Sequence, residues 1–366
     1  MSPPRRKLPA QVTRALELVA PGTDLRIAIE NIIRAQNGAL IIVDRPEKLE
    51  ELGIISGGMR VELEFAPMRL YELAKMDGAI VVSPSISTIH YANAHLSPDP
   101  SYESDESGMR HLAADRTAQQ TGSLVIAVSE RRRVVSLYQG SYGLHILEDI
   151  GVVLSKANSA IATLEKFTLR MREEARGLTV HEYDGAVTLR EIVGAVVTFE
   201  YLVRIGEEIE AYVRELGSEG RLIEMQLEQA FHGVPEQYEA MLKDYIPEEA
   251  DYDSVREELA TFSAEQLSDS FELCRALGYS PAGPLEDVFI EPRGYRQLER
   301  VPRLPSRVAE SLIKEFGSLK ELLEASEEEL DEVEGVGQAR ARAIHRGLER
   351  QRSLETTGEV PGDGSR

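Results

Sequence analysis

Apolar residues change their spacing along this chain. Up to about residue 145, short apolar blocks such as "ALIIVD", "AIVVS", "SLVIAVS" and "RVVSLYQ" alternate with stretches that repeat every three or four positions. Blocks that short, bounded by turn or charged residues, predict buried strands. "LRIAIENIIRAQNG" repeats at helical spacing and reaches a helix stop at Asn37-Gly38. "APMRLYELAKMDG" predicts a second helix that ends at Gly78. Helices interleaved with buried strands imply an α/β domain with a mixed or parallel sheet.

From about 146 the strand signal fades. Val153, Ala157, Ile161, Leu164 and Met171 recur at three- and four-residue steps, and "LREIVGAVVTFEYLVRIGEEIEAYVRELG" behaves alike. These are long amphipathic helices, most simply a bundle or spine, and they carry no visible chemistry. The pattern divides the chain into an α/β domain (1–147), a helical spine (148–290), an all-α C-terminal domain (291–352) and a polar tail (353–366) expected to be disordered.

Composition narrows the functional classes. Among 366 residues, 42% hydrophobic and 28% charged are values of a globular protein, and the length suggests two or three domains. No apolar stretch approaches the roughly 20 residues that span a bilayer, and "MSPPRRKLPA" has charge without an apolar core. A cytoplasmic protein without a membrane partner is therefore expected. Cys274 is the only cysteine, which excludes an intrachain disulfide and a thiolate zinc site. The net charge of -22 repels DNA globally, so any nucleic-acid role must rest on a local basic patch.

Such a patch exists near the C-terminus, in "LDEVEGVGQARARAIHRGLERQR". A short helix (327–333) reaches Gly335-Val336-Gly337, and a new helix begins at once with Arg340, Arg342, Arg346, Arg350 and Arg352 against Glu349 alone. Glycines permit a tight turn close to a ligand, and the N–H groups opening the next helix can bind phosphate oxygens. The stretch resembles the helix-hairpin-helix, a sequence-independent DNA-backbone module. The upstream "VPRLPSRVAESLIKEFGSLKELLEAS" resembles its companion half, with Leu304-Pro305 where a glycine turn is expected. Only the second hairpin is therefore expected to grip phosphate. A small helical protein-interaction domain is the competing reading.

Two N-terminal stretches carry candidate chemistry. Asp77-Gly78-Ala79 stands where a helix meets a buried strand; the aspartate could hold a divalent metal, and the glycine would admit a nucleotide to the backbone. "SGMRHLAADR" (107–116) holds Arg110, His111, Asp115 and Arg116 and reads as an active-site loop leading into a helix. Met109, Leu112 and Ala113 interrupt it with side chains that bind no phosphate.

Taken in order, "LRIAIENIIRAQNGALIIVD", "ISGGMRVELEFAPMRLYELAKMDGAIVVS" and "RTAQQTGSLVIAVSERRRVVSLYQG" resemble the diadenylate cyclase domain of the DisA family of DNA integrity scanning proteins. The likeness continues through "ELGSEGRLIEMQLEQ" to the hairpin, over about residues 15 to 350. It implies a three-part protein that condenses two ATP to cyclic di-AMP with Mg²⁺ or Mn²⁺. It also implies a homo-octamer with facing active sites, and binding of branched or recombination-intermediate DNA in the response to DNA damage and its repair. By the same likeness, Asp77 is the metal-binding, hydroxyl-activating residue, while Gly78 and Ala79 let the nucleotide approach the backbone. Leu96 contacts adenine, and Ser129 lies on the phosphate side with Arg131 and Arg133 nearby. The family's Thr-Arg-His-Arg-Thr motif reads Met109-Arg110-His111-Leu112-Ala113 here. Arg110 is kept for phosphate contact and His111 for metal or phosphate contact; two hydroxyls and a guanidinium are lost. The departure leaves three readings open: a cyclase of reduced activity, a nucleotide-binding domain with little synthesis, or a structural remnant.

Overall fold

The computed structural model describes residues 10–357 apart from Arg133, Ser141 and Tyr142, with side chains from 11 to 353. Two compact units share the chain. One takes residues up to 159 together with 209–225; the other takes 160–208 and the chain from 226 onward.

The first unit is built on a seven-stranded sheet. In chain order its elements are α1 (Ala10–Leu18), α2 (Asp24–Arg34), β1 (Ala39–Val43), α3 (Pro46–Glu51), β2 (Ile55–Glu64), α4 (Pro67–Leu73), β3 (Ala79–Val82) and β4 (Thr88–Leu96). There follow α5 (Met109–Thr121), β5 (Leu124–Val128), β6 (Val135–Gln139) and β7 (Leu144–Leu147). The strand order is β2-β4-β3-β1-β5-β6-β7; β1 and β3 run parallel, and every other pair is antiparallel. The mixed sheet expected from the pattern is present, and its four central apolar blocks are β1, β3, β5 and β6.

Alternation along the central strands feeds two cores. Ile41, Val43, Ile80, Val82, Ile126 and Val128 pack with Leu25, Ile29 and Ile32 of α2 and Leu70 of α4. Ile42, Val81, Val125 and Ala127 face the opposite way and pack with Leu49, Ala114 and Ala118. Side chains two apart share a face, so one strand serves both layers. Strands β2, β4 and β7 did not stand out in the pattern. β2 is a largely exposed edge with register shifts at Gly57 and Met59, so it lacks the alternation of a half-buried strand.

The second unit is helical apart from an isolated bridge between Thr188 and Phe289, and its first three helices have their stretches 150–159, 209–216 and 221–225 in the other unit. Helix α6 (Ile150–Asp184) and α7 (Leu189–Leu216) are the long helices expected from the periodicity. After α8 (Arg221–Phe231) come α9 (Val234–Tyr245), α10 (Tyr252–Thr261) and α11 (Ser270–Ala276). The C-terminal helices are α12 (Tyr295–Glu299), α13 (Ser306–Phe316), α14 (Leu319–Glu324), α15 (Glu327–Asp331) and α16 (Gln338–Thr357). Helix α16 continues past residue 352, so 353–357 are helical rather than part of a tail; 358–366 lie outside the described residues.

A buried carboxylate ties the C-terminal helices to the bundle. Glu182 of α6 is fully buried and accepts from the Arg296 guanidinium, the Gln297 amide and the Tyr245 hydroxyl. Asp244 of α9 accepts the N–H groups of Gly294, Tyr295 and Arg296, at 2.6–2.9 Å, and so caps α12. Removing one member of a buried ion pair leaves the other uncompensated. Arg296→Ala is therefore expected to destabilise the helical unit by about 3–5 kcal/mol, read by chemical denaturation; a loss below about 1 kcal/mol would contradict this account.

Candidate nucleotide and phosphate sites

Helix α5 starts where the sequence suggested a loop. Gly108 is its N-cap, in an extended conformation and with no capping side chain, and the first intrahelical bond runs from Leu112 N–H to the Gly108 carbonyl at 2.8 Å. The stretch "SGMRHLAADR" is thus a helix N-terminus and not a loop. Of its apolar residues, Met109 is exposed and Ala113 packs partly against the core beside the buried face of Ala114, Thr117, Ala118 and Thr121. The N–H groups of Met109, Arg110 and His111 have no intrahelical acceptor, as at any helix start.

This N-terminus opens on a cavity of about 720 Å³, within the range of small-molecule sites. Asp77, Gly78, Ala79, Leu96, Met109, Arg110, His111, Ala113, Ser129 and Arg131 all line it. Leu112 is not among the residues that line it. Arg133 lies outside the described residues. The sequence had not marked Leu40, Ala94, His95, Glu106, Ser107, Gly108, Glu130 and Arg132, which also line the cavity.

Two glycines are explained by close approach. A Cβ on Gly38 would collide with the Arg110 guanidinium. The helix before it is finished earlier: Ala35 is the C-cap, and Gln36 takes the left-handed φ of 57°. Gly38 therefore serves the cavity rather than the helix stop. A Cβ on Gly78 would come within 2.5–2.7 Å of the Asn93 backbone, and the Gly78 N–H donates to Asn93 Oδ1 at 3.0 Å.

Arg110 Nη2 lies 3.8 Å from Asp77 Oδ1, and the Asp77 side chain is fully exposed. His111 is half-buried: its Nδ1 is 2.9 Å from Tyr138 Oη, which donates to Glu106 Oε1 at 2.7 Å. Burial pulls the His111 pKa down, Arg132 and Arg110 add to that, and Glu106 opposes it. Ser129 Oγ accepts from the Arg132 N–H at 3.3 Å.

Three guanidinium groups (Arg110, Arg131, Arg132) and three carboxylates (Asp77, Glu106, Glu130) line the cavity, so its side chains alone leave a triphosphate unneutralised. No cluster of three metal-ligating side chains forms among the described residues. A carboxylate and an imidazole, Asp77 and His111, nevertheless stand in the same cavity. That donor set fits a divalent cation whose remaining ligands are substrate phosphates and water, as is usual for Mg²⁺.

The C-terminal hairpins repeat one another. Leu304 N–H bonds the Val301 carbonyl as Val336 N–H bonds the Val333 carbonyl. Arg303 takes the left-handed φ of 62° where the second turn has Gly335 at 87°. The first hairpin therefore makes the turn without a glycine, at a cost of about 1–2 kcal/mol for a non-glycine residue in that conformation. Pro305 then stands where Gly337 stands and offers no N–H. Val336 is buried in the hairpin core, and its N–H is already bonded, so it anchors the turn rather than meeting solvent. Gly335, Gly337 and Arg346 are exposed. Arg340 bonds the Gly335 carbonyl, and Arg342 pairs with Glu327 at 3.2 Å.

Comparison with known proteins covers the chain in three blocks. Residues 26–142 match the DisA bacterial checkpoint controller nucleotide-binding family, 147–285 its linker region, and 301–355 the helix-hairpin-helix motif. The DNA integrity scanning protein DisA of Carboxydothermus hydrogenoformans is 45% identical over 93% of this chain and 97% of its own. The protein of that name from Clostridium tetani is 44% identical, over 92% of each chain. Among described residues, no helix is long and apolar enough to cross a membrane.

Gly38→Ala tests the packing at Arg110. It is expected to leave the thermal midpoint within a few degrees, because the closest collision is with the end of a flexible side chain, while the Val128 carbonyl, 3.2 Å away, need give by only a few tenths of an ångström. ATP affinity, by titration calorimetry, should fall about tenfold, or about 1.4 kcal/mol. Unchanged affinity would show that Arg110 does not need its seat over Gly38.

Proposed function

This chain belongs to the DisA family of DNA integrity scanning proteins, and from that premise we propose that it condenses two ATP to cyclic di-AMP under the control of bound DNA. The observation that carries the reading is the convergence of Asp77, Gly78, Arg110 and His111 with an uncapped helix N-terminus on one cavity. In each half-reaction a 3′-oxygen bonds to the α-phosphorus of the other nucleotide, the α–β phosphoanhydride bond breaks, and pyrophosphate leaves. Two such events close the ring. The attacking hydroxyl must come from ATP on a second copy, so the active form is a homo-oligomer with facing cavities, which the family likeness makes an octamer.

Asp77, which lines the cavity, accepts the proton of the attacking hydroxyl in this reading. Arg110 holds phosphate oxygens from its seat over Gly38, and the N–H groups at the start of α5 add donors that Met109 and Ala113 leave in place. Leu96 contributes an apolar contact for the base, and Ser129 and Arg131 flank the phosphates. Asp77 and His111 would hold a Mg²⁺ or Mn²⁺, which would supply charge neutralisation for phosphoryl transfer.

The hydroxyls and guanidinium missing at Met109, Leu112 and Ala113 point to turnover below that of a site with the full motif, since one lost charge-stabilising donor costs about 10²–10³ in rate. The same losses favour the competing reading, a protein that binds nucleotide and DNA with little synthesis. Incubation with ATP and Mn²⁺ followed by chromatography separates the two. Cyclic di-AMP is expected from the wild type and not from Asp77→Asn. Met109→Thr with Leu112→Arg and Ala113→Thr should raise the rate at least about tenfold. No product from either the wild type or the restored variant would leave the binding-only reading.

On the DNA side, Gly337 and the start of α16 hold the phosphate of branched or damaged DNA, with Gly335 setting the turn and Arg340, Arg342 and Arg346 adding charge. Arg340→Ala with Arg346→Ala is expected to weaken four-way-junction binding and to reduce the slope of log K against log salt by about 2. An unchanged slope would remove these arginines from the interface.

A further inference from the structure

Glu106 and Tyr138 belong to none of the roles assigned above, yet they close on His111 from a distance in sequence. Tyr138, on β6, is 1% exposed, while Glu106 lines the cavity before α5 begins. An ionised carboxylate only accepts, so the Tyr138 proton is committed to Glu106 Oε1, at 2.7 Å. The phenol oxygen then offers a lone pair to His111 Nδ1, at 2.9 Å, and Nδ1 must be the donor. The neutral ring is left with its lone pair on Nε2, an atom with no partner among the described residues. The ring is also fixed edge-on against Tyr138, with centroids 6.2 Å apart and planes at 63°.

We propose that Glu106 and Tyr138 are positioning residues that hold the His111 proton on Nδ1 and so present the Nε2 lone pair to a divalent cation bound with nucleotide in the cavity. The proposal rests on the nucleotide-site reading above, but not on synthesis. A metal-ligating imidazole is commonly oriented through its other ring nitrogen in this way, and loss of the orienting partner costs about 10–100-fold in metal affinity. Tyr138 suits the role because its ring is held in the core by Ala114, Ala118 and Val125. Removing only its hydroxyl leaves that packing in place.

The test uses the full-length protein and 3′-deoxyATP, which lacks the attacking hydroxyl and cannot be turned over. Its affinity is measured by calorimetry with Mn²⁺ and again with EDTA. For Tyr138→Phe, the Mn²⁺-dependent gain in affinity should fall about tenfold or more, with the EDTA affinity and thermal midpoint near those of the wild type. Glu106→Gln should show a smaller loss of the same kind. In a His111→Ala background, Tyr138→Phe should add no further loss, since the residues act as one unit. The proposal is overturned if Tyr138→Phe keeps the full Mn²⁺-dependent gain. It is equally overturned if affinity falls alike with Mn²⁺ and EDTA, or if the effect persists without His111. Failure of the wild type to make cyclic di-AMP while it still binds 3′-deoxyATP with Mn²⁺ would sink the synthesis reading and leave this result standing. Failure to bind 3′-deoxyATP at all would remove both.

Discussion

Helix α5 rests on β5 and β6 through Ala114, Thr117, Ala118 and Thr121, and its position there governs the cavity. Small side chains on that face let the helix sit close to the sheet. Its first turn then reaches the ends of β1 and β3, where Gly38 and Gly78 leave room for the guanidinium of Arg110 and for the Asn93 backbone. A larger residue at Ala114 or Ala118 would lift the helix and carry Arg110 and His111 away from Asp77 together. The placement of two candidate side chains relative to a third thus depends on one packing contact. Close-packed interiors do not deform gradually, so the site is either seated or lost.

The same geometry changes the meaning of the altered motif. Side-chain hydroxyls at 109 and 113 would act beside backbone N–H groups that belong to the helix start itself. Those N–H groups stay wherever the helix begins at residue 109, whatever its side chains are. Ground-state binding of phosphate can therefore survive Met109 and Ala113. Transition-state stabilisation is more exposed to the loss, because charge develops on oxygens that need donors already aimed at them. Leu112 differs in kind: its side chain does not line this cavity.

Much of the fold was legible because burial imposes a period. The four blocks that became β1, β3, β5 and β6 are covered on both faces, and continuous apolar runs report that directly. β2 escaped because an exposed, bulged edge strand has no face whose residues must all be apolar. The long helices showed their stripe, and family likeness named Asp77, Arg110 and His111, which the structure then places around one cavity. Sequence spacing could not show that Gly38 makes room for Arg110, or that Glu106 and Tyr138 meet at His111. Those contacts join residues 27 to 72 positions apart and leave no periodic trace.

Net charge and local charge work on different scales here. A chain at -22 repels any polyanion at long range, yet the Debye length is only about 8 Å at physiological ionic strength. Within that distance a phosphate at the helix start at Gly337 would meet the arginines of α16, of which Arg342 is paired with Glu327. The two proposed phosphate sites share this device: each is a helix start preceded by glycine, at Gly108 and at Gly337, and at Gly108 no side chain caps the helix. They differ in what surrounds it. The nucleotide cavity balances its cations with carboxylates and needs a metal to complete the charge, whereas α16 carries a surplus of arginine and does not. Removing divalent cations should therefore separate the two, weakening the nucleotide site while leaving the backbone grip on DNA to ionic strength alone.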